Sequence, residues 1–433
     1  MKYIGQLILI IIVMLLLGSC KEEQATKASN EDITELKFWG EGSTEWFITE
    51  IETPLKTKYP NIKFKILKQP TLKQAIEENN IPDIMLESVY WQSPESAQLG
   101  IQLDLAGLVK SNNLDMGKFQ PEFIEKGPTF QLPFTRTHYV LNYNKDVFDL
   151  FQLPYPTDGM TWDEVLKLAT QFKAEQQGKA FYGLYLTYND IPKIATQLSL
   201  SLLDPTSNEP TLGDKKWDKL IDIWTAADTP KMESENKFYT YNLFSEGKNV
   251  AMAIGEPYGN SEQNVGVASL PVFADKARGG ADSMATALSI STLSKHSKEA
   301  FQVIQYLVSE EFQLKMAAKG QFAALDQSIV EQSYGNDFTK ISPSLKASIY
   351  YNDPVVISKL SIYDHFSSLQ PFAGGFLDNI DTSIMYWQSF EDLKDGVNKT
   401  IFRSKLAGNL KQWVNDQSEI LAEYSNKTKN LQK

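Results

Sequence analysis

Residues 34–39, TELKFW, open a run whose reading decides the fold class. They alternate as a strand and stop at Gly40-Glu41-Gly42-Ser43, after which Glu45 to Tyr59 carries helical apolar spacing in Phe47, Ile51 and Leu55. Pro60-Asn61 ends that helix. Ile62 to Leu67 alternates again, Leu72 to Glu78 is a short helix candidate, and Pro82-Asp83-Ile84-Met85-Leu86 begins a third strand. Strand, helix, strand, helix, strand predicts a parallel sheet with crossover helices, an α/β fold. Ligands of such sheets bind beyond the carboxyl ends of the strands. The loops at those ends are Gly40 to Thr44 and Glu87 to Ser93, and each carries aromatic or acidic groups.

Downstream the pattern continues. Tyr139 to Tyr143 reads as a strand leading into Asn144-Lys145-Asp146. Thr161-Trp162-Asp163-Glu164 places a helix-starting threonine three residues before a glutamate, the capping-box pattern, ahead of Val165, Leu168, Ala169 and Phe172. Leu184 to Thr187, Val250 to Ile254, Val265 to Ala268 and Ala287 to Ser291 read as strands. Lys298 to Lys319 is predicted helical throughout, and from Ser342 the chain reads mostly helical, with a turn at Pro371 to Phe376 and a long helix over Ile384 to Thr400.

Upstream, Lys2 is followed by the apolar run Leu7 to Leu17 and then Gly18-Ser19-Cys20, the pattern of a signal peptide. The run falls short of the roughly 20 apolar residues that span a membrane. Leu17-Gly18-Ser19-Cys20 resembles the lipobox of bacterial lipoproteins, which implies cleavage before Cys20 and its lipidation, palmitate included. Two or more acyl chains anchor stably where one does not. Residues 21–31 are polar and suit a tether.

Cys20 is the only cysteine, so no internal disulfide framework or multi-cysteine zinc site is expected, and His138, His296 and His365 are too scattered for a metal cluster. No cofactor and no metal are expected. The 433 residues, 42% of them hydrophobic, suffice for a sizeable core; at about 100 to 200 residues per domain, two or more domains are expected. A net charge of −12 without a basic patch argues against a nucleic-acid partner.

Four places carry a resemblance to a known family. They are Leu36-Lys37-Phe38-Trp39 with Lys58 to Phe64; Pro82-Asp83-Ile84; Val140-Leu141-Asn142-Tyr143-Asn144-Lys145-Asp146-Val147-Phe148 with Thr161-Trp162-Asp163-Glu164; and Phe244 to Met252 with Gly255-Glu256-Pro257-Tyr258 and Gly266 to Pro271. Together they resemble the family 1 extracellular solute-binding proteins of ABC importers, the class that contains the maltose-binding protein. The resemblance implies a two-lobed periplasmic-binding-protein type II fold, with a hinge crossed more than once and an interlobe ligand cleft. On this chain it implies a signal peptide at 1–20, a tether at 21–31, lobe one from 32–137 plus 283–340, and lobe two from 141–282 plus 341–433. The first crossing falls near Arg136 to Val140. It further implies a monomer that binds a sugar or oligosaccharide at the outer face of the cell membrane and delivers it to permease subunits.

Sugar recognition needs flat aromatic faces for the C–H face of a pyranose and directional partners for its hydroxyls. By family position, the first lobe offers Trp39, Glu41, Ser43, Glu87, Tyr90 and Trp91. The second answers with Tyr188, Asp190 and Tyr258, the last standing where many relatives carry tryptophan. Trp39 also reads as a core residue at the end of an apolar strand, and Glu41 and Glu87 as solvated loop carboxylates. Trp162, Trp217, Trp224 and Trp413 lie in helical patterns and read as packing. Tyr350-Tyr351 would need histidine or carboxylate partners to hold iron. A peptide or polyamine is the alternative ligand, and a lipid-anchored glycoside hydrolase the alternative class, although no spacing singles out a catalytic carboxylate pair.

Overall fold

The computed structural model describes residues 34–40, 46–88, 95–119, 129–172, 175–176, 178–187, 190–204, 206–227, 249–257, 264–281, 284–337, 342–353 and 389–431. Eleven strands appear among them: β1 (Thr34–Gly40), β2 (Ile62–Ile66), β3 (Ile84–Ser88), β4 (Leu132–Arg136), β5 (Val140–Asn144), the short hairpin β6 (Glu175–Gln176) and β7 (Lys179–Ala180), β8 (Tyr182–Tyr185), β9 (Val250–Gly255), β10 (Val265–Ser269) and β11 (Met284–Ile290). They form two main sheets, with strand orders β2-β1-β3-β11-β4 and β10-β5-β9-β8.

The first sheet begins with the parallel set that the opening residues predict: β1 pairs with β2 and with β3, both parallel. Its alternation has a packing cause. Leu36 and Phe38 are buried on one face with Phe47, Ile51 and Leu55, and the Phe38 and Phe47 rings meet edge to face at 5.0 Å. The supporting helix is wound in two parts, a π-helical turn at Phe47–Glu52 and an α-helix at Thr53–Lys58. Strand β11 lies antiparallel between β3 and β4, so the chain returns to this sheet after building the second.

In the second sheet β8 and β9 are parallel, and β5 runs antiparallel to both β9 and β10. Its core gathers Trp162, Trp217 and Trp224 with Phe148, Phe172 and Leu184. Two local rules set its first helices. Asn144 caps Lys145–Phe151 by accepting from the amides of Asp146 (3.1 Å) and Val147 (3.3 Å). At Thr161 the capping box closes in both directions, Glu164 N to Thr161 Oγ1 at 3.2 Å and Thr161 N to Glu164 Oε2 at 2.8 Å.

Two helical expectations change. Lys298 to Lys319 is not one helix but two, Ser297–Leu307 and Glu310–Ala318, because Ser309 caps the second by accepting from Phe312 N. The helix expected over Ile384 to Thr400 is interrupted: residues 389–394 are helical, Gly396 turns with φ +89°, and a new helix runs Lys399–Leu431. Residues 384–388 lie outside the described residues. Phe402, Leu406, Leu410 and Trp413 of the last helix recur at helical spacing and bury in the core of the second sheet.

Register places the strand ends. Strand β4 ends at Arg136 opposite Met284 of β11, while Ser88 at the end of β3 pairs with Thr286. Val140 at the start of β5 pairs with Gly255 at the end of β9 and with Ser269 at the end of β10. The short link Thr137 to Tyr139 therefore joins the carboxyl-terminal edge of one sheet to the carboxyl-terminal edge of the other. Strands β1 and β3 end at the first edge, and β8 and β9 end at the second. Gly40 closes β1 against β3: a Cβ there would stand 1.9 Å from the Leu86 carbonyl oxygen, so no side chain fits where this strand ends.

Candidate functional site

Trp39, at the end of β1, is half-buried on a small cluster with Leu72, Met85, Leu99 and Ile101, and its indole N–H donates to the Gln69 carbonyl at 3.0 Å. Glu41, Ser43, Tyr90, Trp91, Tyr188, Tyr258 and Cys20 lie outside the described residues, as does the turn expected at Pro371 to Phe376.

Glu87 and Asp190 are both described, and both are engaged within the protein. Glu87 is 5% exposed; its carboxylate accepts from Ser96 N at 3.0 Å and from Ser96 Oγ. On the other side of the same loop, Glu95 accepts from the amides of Leu72 (2.6 Å) and Lys73 (2.9 Å), the first turn of helix Leu72–Glu77. These two carboxylates thus fasten the flanks of the segment 89–94 that contains Tyr90 and Trp91. Asp190 does the equivalent after β8. Its Oδ2 accepts from Thr187 N (2.7 Å) and Thr187 Oγ1 (2.9 Å), and its Oδ1 from Lys193 Nζ at 2.6 Å, tying together the two residues that flank Tyr188 and Asn189 in sequence. Carboxylates at these positions carry satisfied hydrogen bonds, the usual condition of buried charge.

Other polar groups gather at the same edge of the second sheet. Lys193 Nζ lies 4.8 Å above the Tyr139 ring and is buried beside Asp190. Glu256 follows β9, and its backbone carbonyl is held by Asn142 Nδ2 at 2.9 Å. Burial pushes the Glu256 carboxyl up, and the Lys193 ammonium pulls it back. Sequence reasoning passed over both residues, though Glu256 stands two places before Tyr258 in a stretch already singled out.

The link between the sheets is packed with aromatic rings. His138 is 6% exposed, with its ring 4.8 Å from that of Phe322 and 4.6 Å from that of Tyr350; Phe322 in turn stacks on Tyr334 at 5.0 Å. Tyr350 is thus a packing residue here, while its neighbour Tyr351 sits under the Arg278 guanidinium. Burial first, and the Arg136 guanidinium second, hold the His138 imidazole well below the usual histidine value against an opposing hydrogen bond to the Ile349 backbone. A depressed folded-state value means that the unfolded chain binds the proton more readily. The associated stability is full above the ordinary histidine value and drains as the pH falls below it. Wild type is expected to lose about 1.4 kcal/mol per pH unit below ~6.5, a slope absent from His138→Phe. Denaturant melts at stepped pH read it; equal slopes in the two proteins would remove His138 as the source.

Among the described residues no group of three histidine, cysteine or acidic side chains could hold a metal ion, and no helix is long and apolar enough to cross a membrane.

The family model for bacterial extracellular solute-binding proteins matches residues 40–314. The multiple sugar-binding protein of Streptococcus mutans is 24% identical over 183 residues, which is 41% of this chain and 42% of that protein, so the match spans less than half of that relative. Among solved structures, the ABC substrate-binding protein of Listeria monocytogenes in complex with cycloalternan matches with a TM-score of 0.68 at 15% identity, covering 89% of this chain and 100% of that one. The sugar-binding protein MalE of Xanthomonas citri matches with a TM-score of 0.62 at 17% identity, over 90% of this chain and 98% of that one. At these identities the structural matches establish the two-lobed α/β fold.

Proposed function

Because the chain belongs to the bacterial extracellular solute-binding protein family, we propose that it captures a sugar or oligosaccharide outside the cell and delivers it to the permease of an ABC importer. The lobes are taken as residues 32–137 with 283–340 and residues 141–282 with 341–433. Ligand binds between them, lined by Trp39, Glu41, Ser43, Tyr90 and Trp91 from the first and by Tyr188 and Tyr258 from the second, with Glu87 and Asp190 as supports behind them. Closure around the ligand makes the form the permease recognises, and the protein acts as a monomer without chemistry of its own.

The observation that supports this reading is the meeting of two carboxyl-terminal sheet edges across the link Thr137 to Tyr139, which brings strand ends of both sheets to one place. Of the acidic candidates, two are not available to a polyamine. A polycation site needs carboxylates free to pair with amines, and Glu87 and Asp190 already spend theirs on Ser96, Thr187 and Lys193. Both serve the site by fixing the residues that flank the aromatic candidates in sequence. The relatives known to bind sugars point the same way.

Binding without turnover is tested by incubating the protein with oligosaccharides and analysing what is recovered. Intact ligand, bound saturably, is expected; release of a cleaved product would make the protein a hydrolase.

Anchoring follows from the lipobox-like Leu17-Gly18-Ser19-Cys20. Lipidated Cys20 holds the protein to the outer face of the cell membrane, with residues 21–31 as tether. Cys20→Ser should fold normally and leave the membrane fraction. A variant that stays with the membrane would show that the apolar run itself is the anchor.

A further inference from the structure

Glu256 follows Gly255, which pairs with Val140 where the carboxyl-terminal edges of the two sheets meet. Its side chain is exposed to solvent, yet the protein around it removes enough water to raise its carboxyl. Among the described residues its carboxylate forms no hydrogen bond and no ion pair, in contrast to Glu87, Glu95 and Asp190. Its backbone is held in place: Asn142 Nδ2 grips the carbonyl at 2.9 Å, and Pro257 restricts the preceding residue to extended conformations.

The surroundings come from both bodies of the molecule. Lys193, from the helix Ile191–Gln197 that follows β8, draws the Glu256 carboxyl down, but Lys193 is already paired with Asp190 at 2.6 Å. Asp190, Lys193 and Glu256 together therefore carry one net negative charge. From the other side comes Tyr334, which packs with Val140, the strand partner of Gly255 next to Glu256, and whose phenol is raised by burial and then by the charge of Glu256. Its turn is bonded to the helix Glu310–Ala318 through Gly335 N to Ala317 O at 2.7 Å. The free carboxylate thus stands at the end of β9, between the second sheet and a group borne on the first.

We infer that Glu256 is a specificity-determining contact of the binding site, accepting hydrogen bonds from hydroxyl or amino groups of the sugar and excluding acidic sugars. This rests on the sugar reading given above. A carboxylate offers acceptors on two oxygens and no donor, which suits a pair of neighbouring hydroxyls. A uronate at the same place would set a second negative charge beside an already desolvated one, with Lys193 committed elsewhere.

The test is a glycan array of neutral oligosaccharides (maltotriose and mannobiose among them), glucosamine oligomers and galacturonate oligomers, probed with wild type, Glu256→Gln and Glu256→Ala. Wild type is expected to bind neutral or amino sugars and to pass over galacturonates. Glu256→Ala should weaken the bound sugar by roughly ten- to hundredfold, with a smaller loss in the near-isosteric Glu256→Gln. Both variants should narrow the gap between neutral and uronate ligands, and both should melt as wild type does, since the carboxylate supports no contact in the described fold. Preference of wild type for galacturonates, or sugar binding unchanged in both variants, overturns the role of Glu256 and leaves the sugar reading standing. An array on which wild type binds no glycan overturns the sugar reading and the role of Glu256 with it.

Discussion

Trp224→Ala is expected to remove about 3 to 5 kcal/mol of folding stability, the range found when a buried aromatic is cut back. The side chain is 1% exposed in the core of the second sheet. Its indole N–H donates to the Phe390 carbonyl at 2.8 Å, its ring meets that of Phe390 edge to face at 6.0 Å, and Lys394 Nζ lies 4.2 Å above it. Alanine would leave a cavity and remove the indole hydrogen bond together, and both losses fall where the chain's last helices join this core. Denaturant melts measure the loss. A change below about 1 kcal/mol would mean that the C-terminal segment packs elsewhere.

Trp91→Ala and Tyr258→Ala should behave in the opposite way, lowering affinity and sparing stability. Each removes a flat apolar face, Trp91 three residues after the end of β3 in sequence and Tyr258 three after the end of β9. The expected cost is on the order of 1 to 3 kcal/mol of binding, or roughly tenfold to more than a hundredfold in Kd. Calorimetric titration paired with melts separates the two classes of residue. Should either variant bind like wild type while losing as much stability as Trp224→Ala, that aromatic belongs to the core and not to the ligand.

The parts of this fold that were legible in sequence are those set by short-range rules. Thr161 and Glu164 announce a helix start three residues apart, Asn144 does the same before Lys145, and the alternation of Leu36 and Phe38 shows which face of β1 is buried. Contacts made at long range leave no such trace. Strand β11 inserts antiparallel between β3 and β4 after more than a hundred residues of second sheet, and nothing local specifies that pairing. The break at Ser309 was readable in principle, since Ser-Glu-Glu is a helix start, but the apolar spacing on both sides of it reads through the cap.

Site residues divide along the same line. An acidic residue at the end of a strand looks identical in sequence whether it faces a ligand or fastens a loop. Glu87 bonds Ser96 nine residues on, and Asp190 bonds Thr187 and Lys193 within a single turn. Glu256 drew no attention because its meaning depends on Lys193 and Tyr334, both distant in the chain. His138 likewise became informative only once Phe322 and Tyr350 were seen against its ring.

The central claim, that this chain is a two-lobed clamp for a sugar, is tested most directly by thermal melts of the purified protein across one library of sugars, oligosaccharides, polyamines, amino acids and peptides. A ligand that binds only the folded state raises stability by RT ln(1 + [L]/Kd), about 2.7 kcal/mol at a hundredfold excess over Kd. The account predicts an upward shift with a sugar or oligosaccharide and none with amines or peptides; a shift produced by amines or peptides alone would contradict it.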